Sequence, residues 1–442
     1  MRLNAKPTLV IALAGLSLLA TACSTSTTPP ATTTSTDTPA ATSTTAAAPV
    51  TMTLWHNGTG DKGPAFWQQA VADFTAANPN VTINITIVQN EDFDGKLQTA
   101  MAADQTPDIF LQRGGGKLND QVTAGKVADI TSAIDPTVKS QIGGGFATDS
   151  IDGKVYAMPM SIQPEGFWYS QDLFKAAGIT ATPTTMAELS DAVTKLQASG
   201  VYGIAIGAKD AWPAAHWFYQ FALRQCTQQE VQNLATGGMT DPCWLAALQS
   251  LSDFNKTNPW NDGFLTTVGQ QGAGSSAGLV ANHKAGMELM GAWDPGVIGG
   301  LTPDKQNLPD LGFFPFPAVD GGKGDPSALM AGSDAWSCSN KAPQPACTDF
   351  LNFLGQTAQQ QAYATAFSTI PANPTASSVI TDPATKAAAD ALGNSAYTLL
   401  WFDSALGQDQ GNGINQAVVD LLAGNVDPAG ALKAMQTALN GG

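Results

Sequence analysis

The alternation of apolar and polar positions begins at residue 51. Residues 51–55 alternate toward a strand, Asn57-Gly58 marks a turn, and residues 64–77 set Phe66, Trp67, Ala70, Val71 and Phe74 on one side of an amphipathic helix. Asn78-Pro79 stops that helix. Residues 81–88 alternate as a second strand, 90–103 read as a helix, and 108–111 form a third strand running into Gln112-Arg113-Gly114-Gly115-Gly116. Strand, helix, strand, helix, strand predicts a parallel sheet with helices on its faces. Open sheets of that kind bind ligands at the carboxyl ends of their strands, which puts His56, Asn57, Asp61, Gln112 and Arg113 on one rim.

The α/β pattern continues downstream. Residues 162–169 cross to new territory, 186–198 form a helix after Pro183, 203–207 a strand, and 212–225 an aromatic helix. Helices follow at 243–256 and 278–284. After 313–317 the chain is expected to return to the first half, with a helix at 346–366 ending near Pro371 and two closing helices between 412 and 439.

A length of 442 residues predicts about two domains. Charged residues make up 13% of the chain, about half the usual ~25%, so the surface is largely neutral and polar. Arg2 and Lys6 precede an apolar run at 8–20 that is too short to span a membrane, and Ala20-Thr21-Ala22-Cys23 closes it with small residues. This predicts an export signal over residues 1–22. From 24 to 50 the chain is almost entirely Ser, Thr, Pro and Ala, a composition that buries no core, so residues 23–50 are expected to be a tether ranging over tens of ångströms (about 5–6 Å × √n). Loss of Arg2 and Lys6 with the signal shifts the net charge from −16 to −18. No basic cluster is visible, which disfavours nucleic acid and anionic lipid as partners.

Four cysteines remain in the exported chain, and short loops close at least entropic cost, so disulfides Cys226–Cys243 and Cys338–Cys347 are expected. No zinc ligand set accompanies them, and no metal site is expected. Among ten tryptophans, Trp67, Trp168 and Trp244 lie at core positions of helices or strands and Trp55 is half core. Trp212, Trp217, Trp260, Trp293, Trp336 and Trp401 fall at strand ends, helix starts or loops, where an indole N–H needs a partner. The turn Gly291-Ala292-Trp293-Asp294 sets a flat apolar ring beside a carboxylate, the pairing that grips a sugar: apolar ring face on the indole, hydroxyls on the acid. Gly274-Ser275-Ser276-Ala277-Gly278 matches the nucleophile-elbow spacing, but no strand precedes it. Phosphate-loop, zinc-protease and calcium-loop motifs are lacking, and three histidines leave little general-base capacity.

Leu54-Trp55-His56-Asn57-Gly58, the helix ending in Asn78-Pro79, Thr106-Pro107-Asp108-Ile109, Gly153-Lys154-Val155-Tyr156-Ala157-Met158-Pro159, Tyr169-Ser170-Gln171-Asp172-Leu173-Phe174 and Gly291-Ala292-Trp293 occur in an order that resembles the extracellular solute-binding proteins of ABC sugar importers. The resemblance runs from about residue 51 to the C-terminus. It implies an α/β clamp of two lobes, each a sheet flanked by helices, with 51–160 and 318–370 in the first lobe and 161–317 and 371–442 in the second. It implies no catalytic residue and no cofactor, a di- or oligosaccharide ligand (xylo- or cello-oligosaccharides among the candidates), a partner in the ABC permease, and a monomer. The N-terminal pattern resembles a bacterial lipoprotein signal, with Cys23 carrying the lipid, and so implies an anchor at the extracellular face of the membrane.

By the same resemblance, Trp293 is the stacking tryptophan of a Gly-x-Trp motif and Trp401 lies across the ligand, while Trp212 and Trp217 come from a stretch that supplies ring-facing groups. Asn57 and Asp61 resemble the first loop of maltodextrin receptors with two extra residues. Gln112, Arg113 and Gln163 stand where relatives carry sugar-facing polar groups, and Asp334 and Trp336 where relatives place a loop against the ligand; packing over the Cys338–Cys347 pair is the alternative for Trp336. Asp294 and Asp403 are candidate hydroxyl acceptors, with capping of its turn as the alternative for Asp294. His56 and His216 are candidates for ligand contact, with local structure as the alternative for each. His283 is expected to be structural. Rival readings are a secreted glycoside hydrolase, which also pairs tryptophans with carboxylates, and the same clamp holding an amino acid, polyamine or metal.

Overall fold

The computed structural model describes residues 48–60 and 62–441, so the signal, Cys23, most of the tether, and Asp61 lie outside the described residues. The chain forms β1 (Val50–His56), α1 (Lys62–Ala77), β2 (Val81–Ile87), α2 (Asn90–Ala102) and β3 (Ile109–Gln112). β1 pairs in parallel with both β2 and β3, as the alternating pattern requires. Further along come β4 (Met158–Ser170), β5 (Tyr202–Ala205), α3 (Trp212–Gln225), β6 (Ala285–Gly291), β7 (Leu311–Phe314) and β8 (Leu329–Cys338). The sheet order is β2-β1-β3-β8-β4-β6-β5, with β7 also on β4.

β4 joins the two halves of the sheet. Residues 158–164 pair antiparallel with β8, and 165–169 pair with β6. Pro164 stands where the strand changes partner, a place that tolerates a missing N–H. Apolar packing divides accordingly into two lobes. The first core draws on residues between 52 and 160 and between 336 and 363; the second lobe packs residues 167–330 with the closing helices, and a smaller cluster joins 277–313 to 370–388.

Several expectations need adjustment. The return to the first lobe takes place along β8 rather than near residue 317, because Arg224 holds the preceding segment on the second lobe by donating to the carbonyls of Phe316 (2.8 Å), Pro317 (3.2 Å) and Ala328 (2.9 Å). The helix expected at 346–366 is two, Gln344–Gly355 and Thr357–Phe367, since Gln356 is extended. The helix expected at 278–284 spans Ser276–Ala281; His283 follows it with φ of 52° and bonds Asp310, a structural role as expected. Helix Pro383–Asn394 was not anticipated. Disulfides Cys226–Cys243 and Cys338–Cys347 are both formed. Among the described residues, no helix is long and apolar enough to cross a membrane.

Candidate functional site

A cleft of about 980 Å³ is lined from both lobes. Its second-lobe wall is aromatic. α3 opens at Trp212 with Pro213 in its first turn, and Trp212 and His216, one turn apart, share the cleft-facing side. Trp293 follows the end of β6. A Cβ on Gly291 would lie 2.1 Å from Cζ3 of Trp293, so only glycine lets the indole fold back over the strand end, which is the physical content of the Gly-x-Trp spacing. Gly332 on β8 clears Trp401 in the same way, at 2.4 Å.

The three rings meet edge to face, Trp212 with Trp293 at 6.0 Å and Trp293 with Trp401 at 5.3 Å between centroids. His216 stacks parallel to Trp401 at 5.6 Å. The indole Nε1 atoms of Trp212, Trp293 and Trp401 are buried and have no hydrogen-bond partner among the described residues. Nε1 of the core residues Trp67, Trp244 and Trp336 is buried without a partner in the same way.

The facing wall is polar and already satisfied. Asp94 accepts from Lys117 Nζ (2.8 Å) and Arg113 Nε (3.4 Å), and Arg113 also donates to Asn90 Oδ1 (2.7 Å), to which Asn57 Nδ2 donates at 3.0 Å. Burial alone would raise the Asp94 carboxyl, but the charges of Lys117 and Arg113 outweigh it and hold it at about 2. Deeper in, Gln163 donates to Asp334 (3.2 Å) and accepts from Thr369 (2.9 Å), while burial raises Asp334 against the pull of Arg113. On the second-lobe side, beside Trp401, Asp403 accepts from Asn415 at 3.1 Å. At the mouth, Gln271 of the second lobe donates to Glu91 of the first.

Asn57, Arg113, Gln163, Trp212, His216, Trp293, Asp334, Trp401 and Asp403 are thus brought to one cleft. Five other candidates are placed elsewhere. His56 turns inward onto Trp67, accepts from Gly58 N–H at 3.1 Å, and is lowered by burial to about 4. Gln112 brackets the strand end, its carbonyl accepting from the Arg113 and Gly114 amides. Trp217 lies one residue past His216, a turn of about 100° on a helix, and packs in the core against Phe254 and Trp260. Trp336 packs behind the polar wall on Trp67. Asp294 is fully buried and faces Glu288 instead of the cleft. The two carboxyls are buried side by side, and burial raises Glu288 well above the ordinary range and Asp294 to about 8.

Asn90, Asp94, Lys117 and Tyr363 line the cleft without having been expected. Asn90 follows β2, and the strand-end rule that found Asn57 and Arg113 would have found it too. Glu165, buried beneath His216, sits in an apolar strand that carries no local signal. Ser276 of the elbow-like motif is buried and donates to the Gly269 carbonyl.

Residues 57–361 match the family model of bacterial extracellular solute-binding proteins, and the chain belongs to that family. A putative binding protein of Brucella abortus is 26% identical over 251 residues, so the chain spans just over half (56%) of that relative's length and matches it over 56% of its own. The diacetylchitobiose-binding protein DasA of Streptomyces coelicolor is 23% identical over 88% of this chain and 89% of its own. A structure solved in work on xylan utilization by the thermophilic bacterium Caldanaerobius polysaccharolyticus superposes with a TM-score of 0.81 at 25% identity, over 88% of this chain and 99% of that one. The two-lobe α/β fold is shared with it.

Proposed function

We propose that the chain is a lipid-anchored receptor that captures a di- or oligosaccharide in this cleft and delivers it to the transmembrane subunits of an ABC importer. The observation that carries the reading is the aromatic wall: the Trp212, Trp293 and Trp401 rings with His216, faced and flanked by acids and amides. Sugars offer apolar ring faces and hydroxyls that both donate and accept, so one ligand class uses all of these groups. The relatives' names support the same class, diacetylchitobiose in one and xylan utilization in another. Xylo- and cello-oligosaccharides remain within it.

In this reading Trp293 is the stacking platform, Trp212 and Trp401 flank it, and Asn57, Arg113, Gln163, Asp334 and Asp403 take hydroxyls. The lobes exchange chain along β4 and β8 and close over the ligand. Cys23 carries the lipid and the body works as a monomer at the extracellular face of the membrane, binding without hydrolysing. Calorimetry and tryptophan fluorescence with a panel of mono- to tetrasaccharides test this: exothermic binding with a fluorescence change is expected, and a folded protein that gives neither signal across the panel contradicts it. Release of reducing sugar from any bound oligosaccharide would point to a hydrolase instead.

A further inference from the structure

Beneath the aromatic wall, one carboxylate is held by two side chains a helical turn apart. Glu165 on β4 is fully buried; its Oε2 accepts from Gln220 Nε2 at 2.7 Å and its Oε1 meets His216 Nδ1. A carboxylate accepts only, so Nδ1 of His216 carries the hydrogen, and in the neutral imidazole Nε2 then presents a bare lone pair. Nε2 has no partner among the described residues, and it is absent from the fully enclosed polar atoms although the ring lines the cleft. The same ring lies parallel to Trp401, so its plane fixes that of the indole.

Resting on the sugar reading above, we infer that Glu165 is a positioning residue that fixes the His216 tautomer, making Nε2 an acceptor for a ligand hydroxyl on the aromatic wall. A hydroxyl can donate to Nε2, whereas an ether oxygen can only accept. The wall therefore discriminates a hydroxyl at this point of the ligand from a masked one. The carboxylate acts through His216 and touches no ligand.

The test combines a spectrum with a mutant cycle. In ¹⁵N-histidine-labelled protein without ligand, the His216 signals, assigned by their loss in His216→Phe or His216→Gln, should show Nδ1–H and an unprotonated Nε2; Glu165→Gln should lose that preference. Titrated with xylotriose and with diacetylchitobiose, Glu165→Gln should bind about 3- to 10-fold more weakly than wild type. The same substitution should cost nothing further in the His216→Phe background, where the ring stack on Trp401 survives without nitrogen. A wild-type spectrum with Nε2–H, unchanged affinity in Glu165→Gln, or losses that add would each overturn the inference while leaving sugar binding intact. If the wild type binds neither sugar, the sugar reading loses its support for these ligands, and the ligand-free spectra alone decide the role of Glu165. Should His216→Phe fail to fold, the comparison of wild type with the isosteric Glu165→Gln still decides.

Discussion

Two carboxyl sites beside the cleft are kept in opposite states. On the polar wall Asp94 sits between Lys117 and Arg113 and is held ionised, at about 2. Behind the aromatic wall Asp294 and Glu288 face each other with no cation nearby and are held protonated, Asp294 to about 8. The polar wall closes its hydrogen bonds within itself, so it is set before any ligand arrives. The aromatic wall presents its rings and the unpartnered Nε2 of His216 to the cleft. Selection of the ligand then rests on the aromatic side, and the polar side supplies a fixed field and a rim of acceptors.

The sharpest way to break this contrast is pH. A carboxyl whose folded value is raised stabilises the fold fully below its unfolded value and loses that contribution as pH rises through the folded one; for Asp294 the window runs from 3.8 to about 8. Across it, stability should fall by about 1.4 kcal/mol per pH unit for each such group, and Asp294→Asn should make the decline shallower by that amount. Denaturant melts at half-unit pH steps read this; equal slopes in the two proteins contradict a raised Asp294 carboxyl.

Next in size, Trp336→Ala should lower stability by about 3–5 kcal/mol, the cost of emptying a packed core site, with affinity of the folded fraction unchanged. A selective loss of affinity would move Trp336 back to the cleft. Asp94→Asn comes third. Its depressed value contributes above 3.8 and is lost as pH falls toward 2, so the substitution should cost about 2 kcal/mol at neutral pH and almost nothing at pH 2. The smallest effect is Asn57→Ala, which removes one rim hydrogen bond and should change affinity by less than about 1 kcal/mol.

The same contrast shows what the sequence could reveal. Periodicity carried the first five elements and α3 almost residue for residue, because each buries one regular face. The strand-end rule located the rim, finding Asn57 and Arg113, but not which way each side chain turns: His56 and Gln112 are at strand ends too and point inward. Trp212 and His216 were separable from Trp217 only once the helix phase was fixed by its core partners. Glu165 and the Glu288–Asp294 pair depend on contacts between distant segments, so no spacing in the chain announces them.

The central claim is that the Trp293 ring is the platform on which the ligand sits, and calorimetric titration of wild type and Trp293→Ala with the tightest-binding oligosaccharide of the panel tests it most directly. The account predicts an unfolding midpoint close to wild type and an affinity weaker by roughly 1–3 kcal/mol, the scale of one lost stacking aromatic. Unchanged affinity, or a loss matched by a collapse in stability, would return Trp293 to the core.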